Sequence, residues 1–442
     1  MKPNVLFFFT DQQRWDTCGC YGQRLDVTPN LDRMAAEGTI FRRAFTCQPV
    51  CGPARSVLQT GKYATEVGCF RNDIALPPNE KTLAHRFREA GYEVGYIGKW
   101  HLASDREHNY TRSAVPPERR GGYEDYWLAS DVLEFTSHGY DGHMFDAEGD
   151  KREFPEGRYR VDAQTDWVLE YLQTRTGEKP FLLFVSYIEP HHQNDRNRYE
   201  GPRGSKEKFA DYEVPGDLAD TEGDWRENYP DYLGCCHALD AGLGRVLAEI
   251  EKLGMADNTV LMYTSDHGSH FCTRNAEYKR SCHDDCLRIP LVARGPDFDG
   301  GRVVDELVSL IDVPPTLLAA GGIDTPRTFR GRALQGLLNG SAKADWKRDV
   351  FAQISESQVG RCIRTDRWKF SVSAPKLDGN RHPAADVYED EFLYDLEADP
   401  HERDNLIGRD GFADVASELR ERLVGRIVAA GESRPQIRSA WA

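Results

Sequence analysis

Four short runs of this chain are apolar at nearly every position, and each stops at a residue that can carry charge or chemistry. They are Asn4 to Thr10, Tyr92 to Ile97, Phe181 to Ile188 and Thr259 to Thr264. A strand with one wet face alternates apolar and polar residues, whereas an unbroken apolar run of this length reads as a strand buried on both faces of a parallel sheet. Between the runs lie segments with helical spacing. Pro29 to Glu37 stops at Gly38, residues 80 to 90 end in Gly91, Val161 to Gln173 comes next, and 231 to 253 is closed by Gly254. Strands alternating with helices predict an α/β fold with a mostly parallel sheet flanked by helices. Phe41 to Phe45 reads as strand or loop, and Ile289 to Ala293 as a fifth strand. Residues 104 to 160 and Gln193 to Trp225 are polar and aperiodic, and read as long loops over the sheet's edge.

The residues at the ends of the apolar runs point to one site. The runs open into Asp11-Gln12, Gly98-Lys99-Trp100-His101, Glu189-Pro190-His191-His192 and Asp266-His267-Gly268. Open α/β sheets bind ligands at the carboxyl ends of their strands, so these residues are expected to converge. Asp11, Gln12, Asp266 and His267 offer mainly oxygen ligands, which suit Ca²⁺, with Mg²⁺ as the alternative.

The run Cys51 to Gly61 has Pro53 where a helix begins and Gly61 where one ends. Cys51 then lies at a helix N-terminus with Arg55 one turn on. An anion there meets free N–H groups, the positive end of the helix dipole and a guanidinium. Alone, the run equally fits a short surface helix behind a buried thiol.

Cys51, Pro53, Arg55, Leu58, Thr60 and Gly61 together resemble the signature of the type I sulfatases, of the alkaline phosphatase-like superfamily, with Ala54 where that family usually has Ser. The resemblance implies that a maturation enzyme oxidises the Cys to formylglycine. Cys47 lacks the Pro and Arg at the right offsets, so Cys51 is the expected residue. Lys99 and His101 match the family's Gly-Lys-Trp-His, His191 its Pro-His, and Lys279 a Lys nine residues before Arg288-Ile289-Pro290. The metal ligands it implies are Asp11, Gln12, Cys51, Asp266 and His267. Many members have Asp in place of Gln12 and Asn in place of His267. His192, His283 and Arg288 are assigned to substrate contact. The likeness runs from Asn4 to about Leu406.

It further implies a sulfuric ester hydrolase. A hydroxyl of hydrated formylglycine attacks sulfur, Arg55, Lys99 and Lys279 hold the sulfuryl oxygens, His191 protonates the leaving oxygen, and His101 deprotonates the second hydroxyl. The expected substrate is a sulfated sugar, released from the end of a glycan. Arg152, Arg158, Arg160, Arg196 and Arg198 in the polar segments are offered as further contacts. The alternatives are a phosphonate or phosphate ester hydrolase of the same superfamily, an arylsulfatase of broad specificity, and a non-catalytic glycan-binding homologue in which Cys51 is never modified.

From about residue 345 shorter strand-like pieces appear at Asp349 to Ile354, Gly360 to Arg364, Trp368 to Val372 and Phe392 to Asp395, with a helix near Phe412 to Ala429. The chain is therefore divided into a catalytic α/β domain, 1–344, and a smaller C-terminal α+β subdomain with an antiparallel sheet, 345–442. A formal charge of −16 argues against nucleic acid as a partner, though a local basic cluster can still hold an anionic substrate. No window has the length of a membrane span. Val5 to Phe9 is too short for a signal-peptide core, so the cytoplasm is the expected compartment unless a leader has been removed. Eleven cysteines, an odd number without framework spacing, agree with reduced thiols. A zinc site on Cys272, Cys282, His283 and Cys286 is the minor reading, because the spacing fits no common pattern. The oligomeric state stays open.

Overall fold

The computed structural model describes residues 2–441. Its central strand, β1 (Asn4–Thr10), is buried at every residue, and its side chains divide between two cores. Val5, Phe7 and Phe9 point into one, Leu6 and Phe8 into the other. This is why the run has no polar side to show. Burying each large side chain contributes roughly 1.5–3 kcal/mol, so this strand is an anchor for both layers.

In chain order the elements around it are α1 (Pro29–Glu37), β2 (Thr39–Phe41), α2 (Cys51–Thr60), α3 (Leu83–Glu89), β3 (Glu93–Lys99), β4 (Tyr126–Ser130), α4 (Arg160–Gln173), β5 (Phe181–Ser186), α5 (Trp225–Lys252), β6 (Thr259–Ser265), β7 (Leu291–Arg294) and β8 (Arg302–Val304). The sheet runs β8-β2-β7-β6-β1-β5-β3-β4 and continues through strands at Asp141–Asp146 and Ser137–His138. From β6 to β4 all neighbours are parallel, while β7 is antiparallel to both β6 and β2. Helices α1, α4 and α5 pack on the Leu6 and Phe8 side, and α2 and α3 on the other. This is the mixed, mostly parallel sheet flanked by helices that the alternating pattern predicts.

Three expectations are corrected. Residues 104–160 do not merely loop over the edge, for β4 lies within them and pairs with β3. Its five residues are too few for a legible period. Helix α5 begins at Trp225, ahead of the expected start at residue 231, and takes Pro230 into its second turn, with Trp225, Asn228 and Tyr229 buried. The expected fifth strand is split at Pro290, which has no N–H for a ladder. Arg288–Ile289 pairs with Ala44–Phe45, and Leu291–Arg294 joins the main sheet.

The C-terminal sheet consists of β9 (Asp349–Ile354), β10 (Gly360–Thr365), β11 (Trp368–Ser373), β12 (Val387–Asp395) and β13 (Gln436–Arg438), antiparallel except for the last pair. Helix α6 (Ala413–Ala429) covers it, with Leu419, Leu423 and Ile427 on Ile363 and Phe370. Val350, Ala352 and Ile354 of β9 pack on Phe45, Cys282 and Leu287. All eleven cysteines are free thiols. Among the described residues no helix is long and apolar enough to cross a membrane.

All ten residues of α2 are buried, which rules out the surface-helix reading. Gly61 ends the helix at φ 67, and a Cβ there would sit 2.4 Å from the Phe329 ring. Left-handed backbone and steric overlap both oppose a side chain, so Gly61→Ala is expected to destabilise the fold by about 2 kcal/mol. Urea unfolding checks this, and an unchanged midpoint would contradict it.

Candidate active site

The carboxyl ends of β1, β3 and β6, with the N-terminus of α2, put their polar side chains in one buried cluster. Asp11 follows β1, Lys99 ends β3, Asp266 and His267 follow β6, and Cys51 opens α2. The Cys51 thiol lies 3.3 Å from Asp11 Oδ1 and 3.4 Å from His267 Nε2. Lys279 Nζ donates to Cys51 Sγ at 2.8 Å and lies 3.2 Å from His191 Nε2 and 3.3 Å from His267 Nε2. Arg55 and Lys99 both donate to Asp11 Oδ2, at 2.9 and 3.0 Å.

One ligand atom from each of Asp11, Cys51, Asp266 and His267 lies within 4.8 Å of every other. Two further observations fit a cation there. Asp266 Oδ2 is buried without a hydrogen-bond partner. His267 Nδ1 lies 2.9 Å from the Gly268 carbonyl; as the donor there, it fixes the ring with Nε2 facing the cluster. Burial, and after it the Asp11 charge, pushes the Asp266 carboxyl up to about 7. Burial would raise Asp11 too, but Lys99, His191 and Arg55 hold it well below the usual carboxylate range. The Cys51 thiol is likewise raised by burial, yet Lys279, Lys99 and His267 bring it well below its ordinary value. Carboxylates, an imidazole and an acidic thiol suit a divalent cation.

The sequence-predicted residues separate on placement. Cys51, Asp11, Asp266, His267, Lys99, Lys279, His191 and Arg55 share this cluster. Arg55 spends its Nη atoms on Asp11, the Lys99 carbonyl and Ser186 Oγ, so it braces three strands as well as the acid. The Gln12 side chain donates to Tyr199 at 2.7 Å, while its backbone N–H donates to Asp266 Oδ1. His101 adds to the lowering of the thiol's pKa and carries a buried Nδ1 without a partner. Gln12 and His101, at φ 71 and 58, hold strained backbone directly beside the cluster. His192 stands between Tyr199 and Tyr278.

His283 and Arg288 are not brought there. His283 Nε2 lies 3.1 Å from the Tyr394 hydroxyl, in the seam with the C-terminal sheet. Arg288 stacks 3.6 Å over Trp15 and donates to the Arg42 carbonyl. The loop arginines are also committed. Arg152 pairs with Glu170, Arg158 with Asp166, buried Arg160 with Glu189, and Arg196 and Arg198 with Glu200. Local carboxylates neutralise them, which residue counts along the chain cannot show. Among the described residues Cys272, Cys282, His283 and Cys286 do not gather into a metal group.

The structure adds residues without a sequence signal. Glu134, buried in the aperiodic segment, lies 3.2 Å from Lys99 Nζ. Burial raises its carboxyl, but Lys99, His191 and His101 bring it down to about 2. Asp131 accepts the N–H groups of Leu102, Ala103 and Ser104 and so shapes the turn carrying His101. Asn72 Oδ1 accepts the Gly52 N–H at 2.9 Å, capping the Cys51 helix from outside it. Glu356, from the β9–β10 turn, accepts the Asn72 N–H and pairs with Arg280, the residue after Lys279. Glu356→Ala is expected to lower kcat/KM about tenfold, equivalent to one lost charge-assisted bond. Glu356→Gln, which keeps an acceptor for Asn72, should fall between parent and Ala; equal values for the two variants would contradict the linkage.

A family model described as Sulfatase matches residues 3–323. The chain belongs to the sulfatase family. A second model, described as the C-terminal region of N-sulphoglucosamine sulphohydrolase, matches residues 276–428. The sulfatase is 30% identical to an "Ulvan-active sulfatase" of Formosa agariphila, over 98% of this chain and 82% of that one. It is 26% identical to an "N-acetylglucosamine-6-O-sulfatase" of Bacteroides thetaiotaomicron, over 96% and 86%. A solved structure described as in complex with its substrate D-glucosamine-2-N,6-O-disulfate superposes with TM-score 0.79 at 23% identity, covering 98% of this chain and 99% of that one. The fold is thus that of the alkaline phosphatase-like superfamily, and the enzyme is a sulfuric ester hydrolase.

Proposed function

We propose that this sulfatase removes sulfate from a sulfated saccharide, acting at the end of a glycan, in the cytoplasm. The observation that carries the reading is a buried thiol whose neighbours are two acids, two lysines, an arginine and three histidines, with the orphan Asp266 Oδ2 beside it. Relatives named for ulvan and for N-acetylglucosamine-6-sulfate, and a related fold holding a glucosamine disulfate, support a sugar as the carrier.

In this reading a maturation enzyme converts Cys51 to formylglycine, which supplies an oxygen nucleophile on the same Cβ. Asp11, Asp266, His267 and residue 51 would hold Ca²⁺, with Gln12 close by, and the cation would acidify that oxygen and balance the charge of the acids. Lys279 Nζ, 2.8 Å from Sγ, is placed to hold a sulfuryl oxygen. Lys99, pinned between Asp11 and Glu134, supplies fixed positive charge behind the nucleophile. His191 Nδ1 faces the His192 carbonyl at 2.6 Å. Burial, Lys279 and Lys99 lower its pKa, so the ring is neutral until an anionic ester offsets those charges. It then takes a proton on Nε2 and can pass it to the leaving oxygen. His101, with its free Nδ1, is the candidate base. The second hydroxyl on the same carbon, once deprotonated, would expel the sulfate as the aldehyde re-forms, a route that a thiol or a lone hydroxyl lacks.

Rates on nitrophenyl sulfate, nitrophenyl phosphate and a phosphonate ester, and then on defined sulfated saccharides, test this. The sulfate ester should exceed the other two by at least about tenfold in kcat/KM, a difference of about 1.4 kcal/mol. A phosphonate optimum would replace the reading.

A further inference from the structure

An open cleft of about 680 Å³, within the range of a small-molecule pocket, is built from segments that adjoin the frame of the site. Its walls come from three separate parts of the chain: Phe70 and Arg71 next to Asn72, Arg106 after the His101 turn, and Arg381 from the C-terminal unit. Asn72 touches the Gly52 N–H, so this wall stands one residue from the nucleophile's own helix. The other side of the cleft is fixed to the same frame, since Asn380 donates to the Glu356 carbonyl and Glu356 N–H to the Gly379 carbonyl.

The charges in the cleft are unevenly committed. Among the described residues Arg106 has neither an ion pair nor a hydrogen bond, unlike the other loop arginines named above. The Arg71 side chain is only 13% exposed, yet its nearest carboxylate is the exposed Asp73 at 3.9 Å, and its one hydrogen bond is to the Asn72 carbonyl. Arg381 meets Asp378 at 3.4 Å while open to water. Of the acids that line the cleft, Asp105 is already held by Arg119, and Asp73 and Glu107 lie toward solvent. A largely buried guanidinium with so weak a counter-charge is poised for an anion from outside. Phe70 adds an apolar surface for a sugar ring.

We propose that this cleft binds a second anionic substituent of the saccharide, held by Arg71 and Arg106, so that the enzyme prefers doubly charged substrates. This rests on the saccharide reading above. The group is a second sulfate or a uronic carboxylate, both flat or trigonal oxygen arrays that a guanidinium fork matches.

The test compares kcat/KM for D-glucosamine-2-N,6-O-disulfate and D-glucosamine-6-O-sulfate in the parent, Arg106→Ala and Arg106→Glu. A parallel pair, 6-sulfated glucosamine joined to glucuronic acid or to glucose, separates carboxylate from second sulfate. The parent should favour the doubly charged member of at least one pair by about tenfold or more, the scale of one charge-assisted bond. Arg106→Ala should bring that preference to within about twofold, and Arg106→Glu should reverse it. A parent that hydrolyses the sugars without preference, or a preference that survives in both variants, overturns the inference alone. A parent that hydrolyses none of them overturns the saccharide reading and this inference with it.

Discussion

Replacing Cys51 by serine is expected to lower sulfate ester hydrolysis by on the order of a thousandfold, the scale seen when a nucleophile acting in a unit is removed. Serine is nearly isosteric and leaves α2 intact, so the fold should survive. Circular dichroism and an unchanged unfolding midpoint would verify that. A serine hydroxyl has no second oxygen on its carbon, so once sulfated it has no internal route to release sulfate. A variant that turns over within tenfold of the parent would show that residue 51 is not the nucleophile.

Asp266→Asn should remove the metal and at least about a hundredfold of activity, because it takes one formal charge from a cluster whose acids balance the cation. Stability should move in opposite directions with and without metal. In the metal-free parent, burial and Asp11 raise Asp266 to about 7 from an ordinary 3.8, so the native state keeps a proton that the unfolded chain has released. Its stability therefore falls as pH rises from about 4 to about 7 and levels off above that. Asn removes this penalty, so chelator-treated Asp266→Asn should melt above chelator-treated parent at pH 8, whereas with excess Ca²⁺ the parent should melt higher. Equal melting temperatures under both conditions, together with full metal content in the variant, would contradict the assignment.

The core of the fold was readable because β1, β3, β5 and β6 are apolar at nearly every position, and only a strand covered on both faces uses such a run. The cluster was readable for a related reason. Asp11, Lys99 and Asp266 come directly at the ends of those strands, and parallel neighbours bring their carboxyl ends to one edge. Cys51 and Arg55 were legible through Pro53 and Gly61. What escaped was whatever depends on contacts distant in the chain. Glu134 is one carboxylate in a polar stretch until Lys99 is seen against it. Asn72 and Glu356 matter only because two loops meet at the N-terminus of α2. His283 was assigned to substrate contact, but Tyr394 claims its Nε2. Arg160 looked like a free loop cation because its partner, Glu189, lies 29 residues away. The split at Pro290 was available from the missing N–H, and β4 was simply too short.

The most direct measurement is mass spectrometry of the peptide containing Cys51, taken from protein whose turnover of a sulfate ester has been measured in the same preparation. An aldehyde at position 51 is predicted, in a fraction of molecules that rises and falls with the specific activity. An unmodified thiol throughout a fully active preparation would contradict the nucleophile and everything built around it.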